Sequence, residues 1–110
     1  YEVHSFLGSG LLESTYQTCL RYELTQQGIF VECEKSIPVL YKGIAIECGY
    51  RIDMMVEHGQ LLIENKAVKE LNDVHLAQML TYLKLSGISL GFLFNFNVRH
   101  FKTGVRRIVL

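Results

Sequence analysis

Tyr50-Arg51-Ile52-Asp53-Met54-Met55-Val56, followed after Glu57-His58-Gly59-Gln60 by Leu61-Leu62-Ile63-Glu64-Asn65-Lys66-Ala67, is the stretch on which the fold turns. Each half reads as a strand that belongs in a core, and each is interrupted by charge. His58-Gly59 is a turn signal between them, so the two halves predict a β-hairpin. With the turn centred there, or with a four-residue loop from Glu57 to Gln60, Val56 faces Leu61 and Asp53 faces Glu64. Opposed residues of an antiparallel pair share a face, with Cβ atoms about 5 Å apart. Lys66 lies two residues beyond Glu64 and points the same way. Two carboxylates and an ammonium therefore converge.

Neighbouring carboxylates repel, and one is driven to take a proton unless a cation holds both. Mg²⁺ or Mn²⁺ suits an all-oxygen site. The lysine beside them can stabilise an anionic nucleophile or a transition-state phosphate. The competing reading is an exposed cross-strand acid pair neutralised by Lys66 and Arg51. The flanking apolar residues favour the metal site, because charges seldom occupy core strands without a partner or a metal.

Upstream, Gly8-Ser9-Gly10 opens a helix with Ser9 as its expected N-cap, and Gly28 closes it. Leu12, Tyr16, Leu20 and Leu24 make its buried stripe. Glu13 sits beside that stripe, one turn before Gln17. A first strand from Val31 to Tyr41 alternates Val31, Cys33, Lys35, Ile37, Val39 and Tyr41 on one face, and Lys42-Gly43 turns it into a long strand from Ile44 to Val56, bent at Gly49. Downstream, a second helix runs from about Asp73 to Leu85, capped by Asn72 or Asp73 and stopped by Gly87. Its apolar face is Leu76, Met79, Leu80 and Leu83; His75, Gln78 and Tyr82 form a polar-aromatic stripe beside it, fit to border a substrate groove. Ile88 to Phe96 is an apolar run suited to a central strand, and Arg99 to Leu110 adds a more exposed one. The order helix, three strands, helix, one or two strands predicts an α/β (α+β) sandwich, a central mixed sheet flanked by helices.

The 110 residues fit a single domain, residues 1–110. The chain opens at Tyr1 in a helix-compatible run, so a short preceding segment is expected. No signal peptide and no membrane-spanning run is read from it. Cys19, Cys33 and Cys48 are odd in number and lack Cys-x-x-Cys spacing, which argues against disulfides or zinc and for a reducing cytoplasm. Net charge is zero, yet all eleven acidic residues lie at or before Asp73, leaving only Lys84, Arg99, Lys102, Arg106 and Arg107 beyond it. A basic end on an acidic body can meet a polyanion, and it can equally be a solvated strand edge.

Gly10-Leu11-Leu12-Glu13-Ser14-Thr15-Tyr16 resembles the Gly-x-x-Glu-x-x-Tyr signature of the GxxExxY family, which is placed in the PD-(D/E)XK nuclease-like superfamily. The resemblance covers nearly the whole chain, through Tyr41-Lys42-Gly43, Glu64-Asn65-Lys66-Ala67-Val68, His75-Leu76-Ala77-Gln78 and Asn95-Phe96. It also resembles the RecB-type exonuclease branch: Glu13, then Asp53, then Glu64-Asn65-Lys66, then Gln78-Met79-Leu80-Thr81-Tyr82. The resemblance implies a restriction-endonuclease-like core. It implies that Asp53, Glu64 and the backbone carbonyl of Asn65 bind Mg²⁺ or Mn²⁺, with Glu13 binding or orienting a metal or its water. Lys66 would activate the attacking water and offset phosphate charge, and Gln78 and Tyr82 would contact the DNA backbone or brace the site. A hydrophobic residue is common where Asn65 stands, on the strand face away from the carboxylates. The expected function is metal-dependent hydrolysis of DNA in the cytoplasm. The alternatives are a non-cleaving nucleic-acid or protein-binding module, and cleavage of RNA or a branched junction. Oligomeric state is not legible.

Overall fold

Extended, alternating residues build the long antiparallel hairpin β1 (Val31–Tyr41) and β2 (Ile44–Val56), which turns at Lys42-Gly43. β2 turns again through Glu57–Gln60 into β3 (Leu61–Lys66), with Val56 opposite Leu61 as the four-residue loop requires. A helix, α3 (Asp73–Ser86), carries the chain over to β4 (Leu90–Asn95), which pairs parallel with β3, as a crossover connection demands. After one 3₁₀ turn at Phe101–Gly104, β5 (Val105–Val109) closes the sheet in the order β1-β2-β3-β4-β5. Two helices precede the sheet, α1 (Glu2–Leu7) and α2 (Glu13–Gln26). The computed structural model describes all residues 1–110, and no helix in it is long and apolar enough to cross a membrane.

The sheet is covered on both faces. α3 lays Met79, Tyr82 and Leu83 on Ile37, Ile52, Leu62 and Leu93. On the other face Leu20 and Leu24 of α2 meet Met54, Val56 and Ile63, while Tyr16 and Val3 pack with Phe96 and Phe101. Met79, Leu83, Leu62, Leu93 and Ile52 are fully buried, each contributing about 1.5–3 kcal/mol relative to exposure. The Tyr16 and Phe96 rings stack with centroids 4.5 Å apart.

α2 starts later than expected. Leu12 is its N-cap residue, no side chain caps it, and Leu12 is 74% exposed rather than part of the buried stripe. Ser9 stays in the preceding loop. The loop is instead held from inside the helix: the Tyr16 hydroxyl donates to the Gly8 carbonyl (2.6 Å) and accepts from the Leu11 N–H (3.1 Å). Gly8 and Gly10 have φ of 70° and 95°, a region that favours glycine. The Gly-x-x-Glu-x-x-Tyr spacing thus has a mechanical meaning, a glycine-permitted bend stapled by its own tyrosine.

β1 does not keep one face. Cys33 packs with Met54 toward α2, whereas Ile37 packs with Ile52 toward α3, although both pairs have the same parity. Between them Glu34 has φ 54°, a left-handed residue inside a strand. A second irregularity, opposite Pro38, shifts the register by two residues at Glu47–Gly49, where the bend was expected at Gly49. The edge strand that carries Pro38 tolerates its missing N–H.

Gly104 follows from close packing. A Cβ there would drive into the Asn95 carbonyl oxygen. Gly104→Ala should therefore lower stability by about 2 kcal/mol, the usual scale of overpacking, and the melting temperature by roughly 10 °C. A thermal melt of the variant beside the parent measures it.

Candidate active site

The β2–β3 ladder ends at Met54 opposite Ile63. One step further the strands part, and their carboxylates take over from the backbone. The Asp53 N–H donates to Glu64 Oε1 (3.0 Å), and the Asn65 N–H donates to Asp53 Oδ2 (3.0 Å). The expected opposition of Asp53 and Glu64 is thus present, as a cross-link at the point of divergence. Beyond it β3 pairs only with β4.

This position is nearly dry. Glu64 is 3% exposed, and burial, followed by the Asp53 charge, pushes its carboxyl up to about 8 despite the Asp53 N–H and Lys66. Asp53 is also raised, first by burial and further by Glu34 and Glu13, while the Asn65 N–H and Lys66 pull it down. Like charges in a desolvated pair cannot both ionise cheaply.

Lys66 joins them from β3. Its Nζ donates to Gln78 Oε1 (3.0 Å), and Gln78 Nε2 donates to the Tyr82 hydroxyl (3.0 Å). Gln78 and Tyr82 are one turn apart on α3, so one helix face braces the lysine. Burial and the Glu64 charge raise the Tyr82 hydroxyl. Tyr50 meets the Tyr82 ring edge-on at 6.2 Å. His75 does not continue this stripe. Its Nδ1 accepts from the Asn72 N–H while Asn72 Oδ1 accepts from the Val74 and His75 N–H groups, a capping box at the start of α3.

Glu13 lies in the first turn of α2, exposed, and acts on Asp53 through its charge. No three carboxylate, imidazole or thiol side chains close on a single point. The two that do meet, Asp53 and Glu64, match the habit of Mg²⁺, which takes one or two carboxylates and keeps several waters. A buried carboxyl group against a half-buried one, with a lysine alongside, is the donor set such a cation would relieve, so the residues fit it.

Two residues of this neighbourhood escape sequence reading. Glu34 lies between the pairs Cys33–Met54 and Lys35–Ile52, opposite Asp53, and its charge raises Asp53 more than that of Glu13. Counting back from the Lys42-Gly43 turn with no bulge would place Glu32 there; the irregularity at Glu47–Gly49 moves Glu34 into the position. Gln17, one turn after Glu13, donates to Glu34 Oε1 (2.8 Å) and accepts from Asn65 Nδ2 (3.3 Å). Asn65 is fully buried on the α2 side; its amide also reaches Met54 Sδ (3.1 Å), and its Oδ1 has no partner.

Comparison with known families meets this geometry. A model of the PD-(D/E)XK nuclease superfamily matches residues 1–108. The chain belongs to the PD-(D/E)XK nuclease superfamily. The five-stranded mixed sheet with helices on both faces agrees with the fold of that superfamily. Its nucleases act on nucleic acid and generally use divalent metals. No curated protein and no solved structure is significantly similar to the chain.

Proposed function

We propose that the chain is a divalent-metal-dependent deoxyribonuclease of the GxxExxY family and the RecB-type branch, hydrolysing phosphodiester bonds. The carrying observation is the Asp53–Glu64 pair, Glu64 buried and Asp53 half-buried, cross-linked where β2 and β3 part, with Lys66 on the same strand as Glu64. Asp53, Glu64 and the Asn65 carbonyl would hold Mg²⁺ or Mn²⁺, with Glu13 orienting it or its water. Such a cation supplies Lewis-acid charge at the phosphate and lowers the pKa of water. Lys66 places an ammonium where negative charge grows in the transition state, the kind of preorganised donor that lowers a barrier most. Gln78, braced by Tyr82, holds that ammonium, and the two would contact the substrate backbone or brace the site. Burial of the pair keeps water, and therefore screening, low around the reacting phosphate.

The test is cleavage of labelled single-stranded, duplex and branched DNA with Mn²⁺ or Mg²⁺ against EDTA, with Asp53→Ala as the control for contaminating nuclease. Cutting that needs the metal and disappears in the variant is the expected result, and the preferred substrate names the role. A folded protein that binds DNA and never cuts it would instead be a non-cleaving module on a nuclease fold.

A further inference from the structure

The carboxylate site repels the substrate it is proposed to cut. The charges of Glu34 and Glu13 bear on Asp53, that of Asp53 bears on Glu64, and Lys66 is the cation that acts on both. A polyanionic strand needs a positive footing elsewhere on the same rim. We infer that the recess walled by Arg99, His100 and Lys102 on one side and α1 on the other is a backbone-phosphate subsite, which holds the DNA strand outside the scissile bond; this rests on the nuclease reading above.

The recess is open, about 660 Å³, and is completed by His4, Ser5 and Gly8, with no carboxylate in its wall. Arg99, His100 and Lys102 line it from the segment that follows β4. The one ion pair of the molecule is Lys35 with Glu32, so neither Arg99 nor Lys102 is neutralised by a carboxylate. Other C-terminal cations are placed differently: Arg106 is engaged with the Thr103 and Val105 carbonyls, and Arg107 lies on β5.

The recess is tied to the catalytic strand. The Phe96 N–H donates to the Lys66 carbonyl (2.9 Å). Asn95 clamps Val68 twice, accepting from its N–H (3.1 Å) and donating to its carbonyl (3.0 Å). From that clamp the chain runs directly into Val98, whose carbonyl accepts from His4 Nε2 (2.6 Å), and then to Arg99. On the opposite wall Gly8 is held by Tyr16, three residues after Glu13 on α2. The recess is thus fastened both to the end of the catalytic strand and to the first turns of α2, which carry Glu13. Phosphate contacts of this kind position a strand without reading its sequence.

Anisotropy titration of a short labelled DNA strand in EDTA, where no cutting occurs, tests the assignment across a range of salt. The paired reversal Arg99→Glu with Lys102→Glu should weaken binding by about tenfold or more and lower the slope of log affinity against log salt by roughly 1–2, as loss of two phosphate contacts predicts. Lys84→Glu with Arg107→Glu makes the same charge change away from the recess and should cost much less. Mn²⁺ affinity should be equal in all three proteins, and so should their melting temperatures. Equal losses in the two double variants, or no DNA binding by the parent, would overturn the subsite. Binding that depends on Arg99 and Lys102 in a protein that never cuts would keep the subsite and remove the nuclease; cutting with equal losses would do the reverse.

Discussion

Hydrolysis by the Lys66→Ala protein should fall by about a hundredfold or more with its metal affinity largely kept, the scale expected when one preorganised transition-state donor is removed. Lys66 is the one cation that lowers the pKa of both Asp53 and Glu64. Its ammonium is pinned by Gln78, so it is in place before the charge develops. Loss of a group used in this way appears in the rate of the bound complex and not in binding. Asp53→Ala should behave differently. It removes a proposed ligand and the acceptor of the Asn65 N–H, so Mn²⁺ binding and cutting should disappear together. Single-turnover cleavage beside calorimetric Mn²⁺ titration separates the two. A Lys66→Ala enzyme that cuts at the parent rate would take the lysine out of the chemistry.

Glu64→Gln should stabilise the metal-free protein at alkaline pH while abolishing cleavage. Glu64 is pushed from 4.5 up to about 8, so the fold favours the protonated carboxyl. The stability this contributes is complete below about 4.5 and is lost as pH rises through about 8. The glutamine is neutral throughout and escapes that loss. Raising a pKa by one corresponds to about 1.4 kcal/mol; halving the sum for the imperfect hydrogen bonding of an amide leaves a gain of roughly 2 kcal/mol above pH 8, or about 10 °C in melting temperature. Saturating Mn²⁺ should reverse the order, because only the carboxylate can hold the metal. Melting curves between pH 5 and 9, in EDTA and in Mn²⁺, provide the measurement. Parallel pH profiles of the parent and the variant in EDTA would mean that Glu64 ionises freely in the folded chain.

The hairpin is legible in the sequence because two local signals agree in it. Period-two alternation sets which side chains share a face, and the turn sets which residues oppose each other, so together they bring Asp53, Glu64 and Lys66 to one place. The second helix is equally open, with Asn72 and Gly87 at its ends. What stays hidden is set by distant contacts. Ser9 looks like a cap, but α2 starts after Leu12 with no side-chain cap, and the Tyr16 hydroxyl instead fastens the loop that precedes it. Glu34 looks like one more solvated acid; only a left-handed residue and a bulge, neither marked by a local motif, carry it to Asp53. Gln17 and Asn65 meet across helix and sheet, a pairing that no spacing within either element discloses.

The turn at Glu57–Gln60 has φ of 48°, 56° and 101° at Glu57, His58 and Gly59, and His58 stacks on Phe30 with ring centroids 4.4 Å apart. It contains no functional side chain, yet it is the ruler of the active site. Side chains alternate along a strand, so one residue gained or lost in that loop would send either Asp53 or Glu64 to the wrong side of the sheet. Most surface loops absorb insertions at little cost. This one has its length prescribed by the carboxylate pair that stands three residues along each of the two strands it joins, so its sequence can drift more freely than its length.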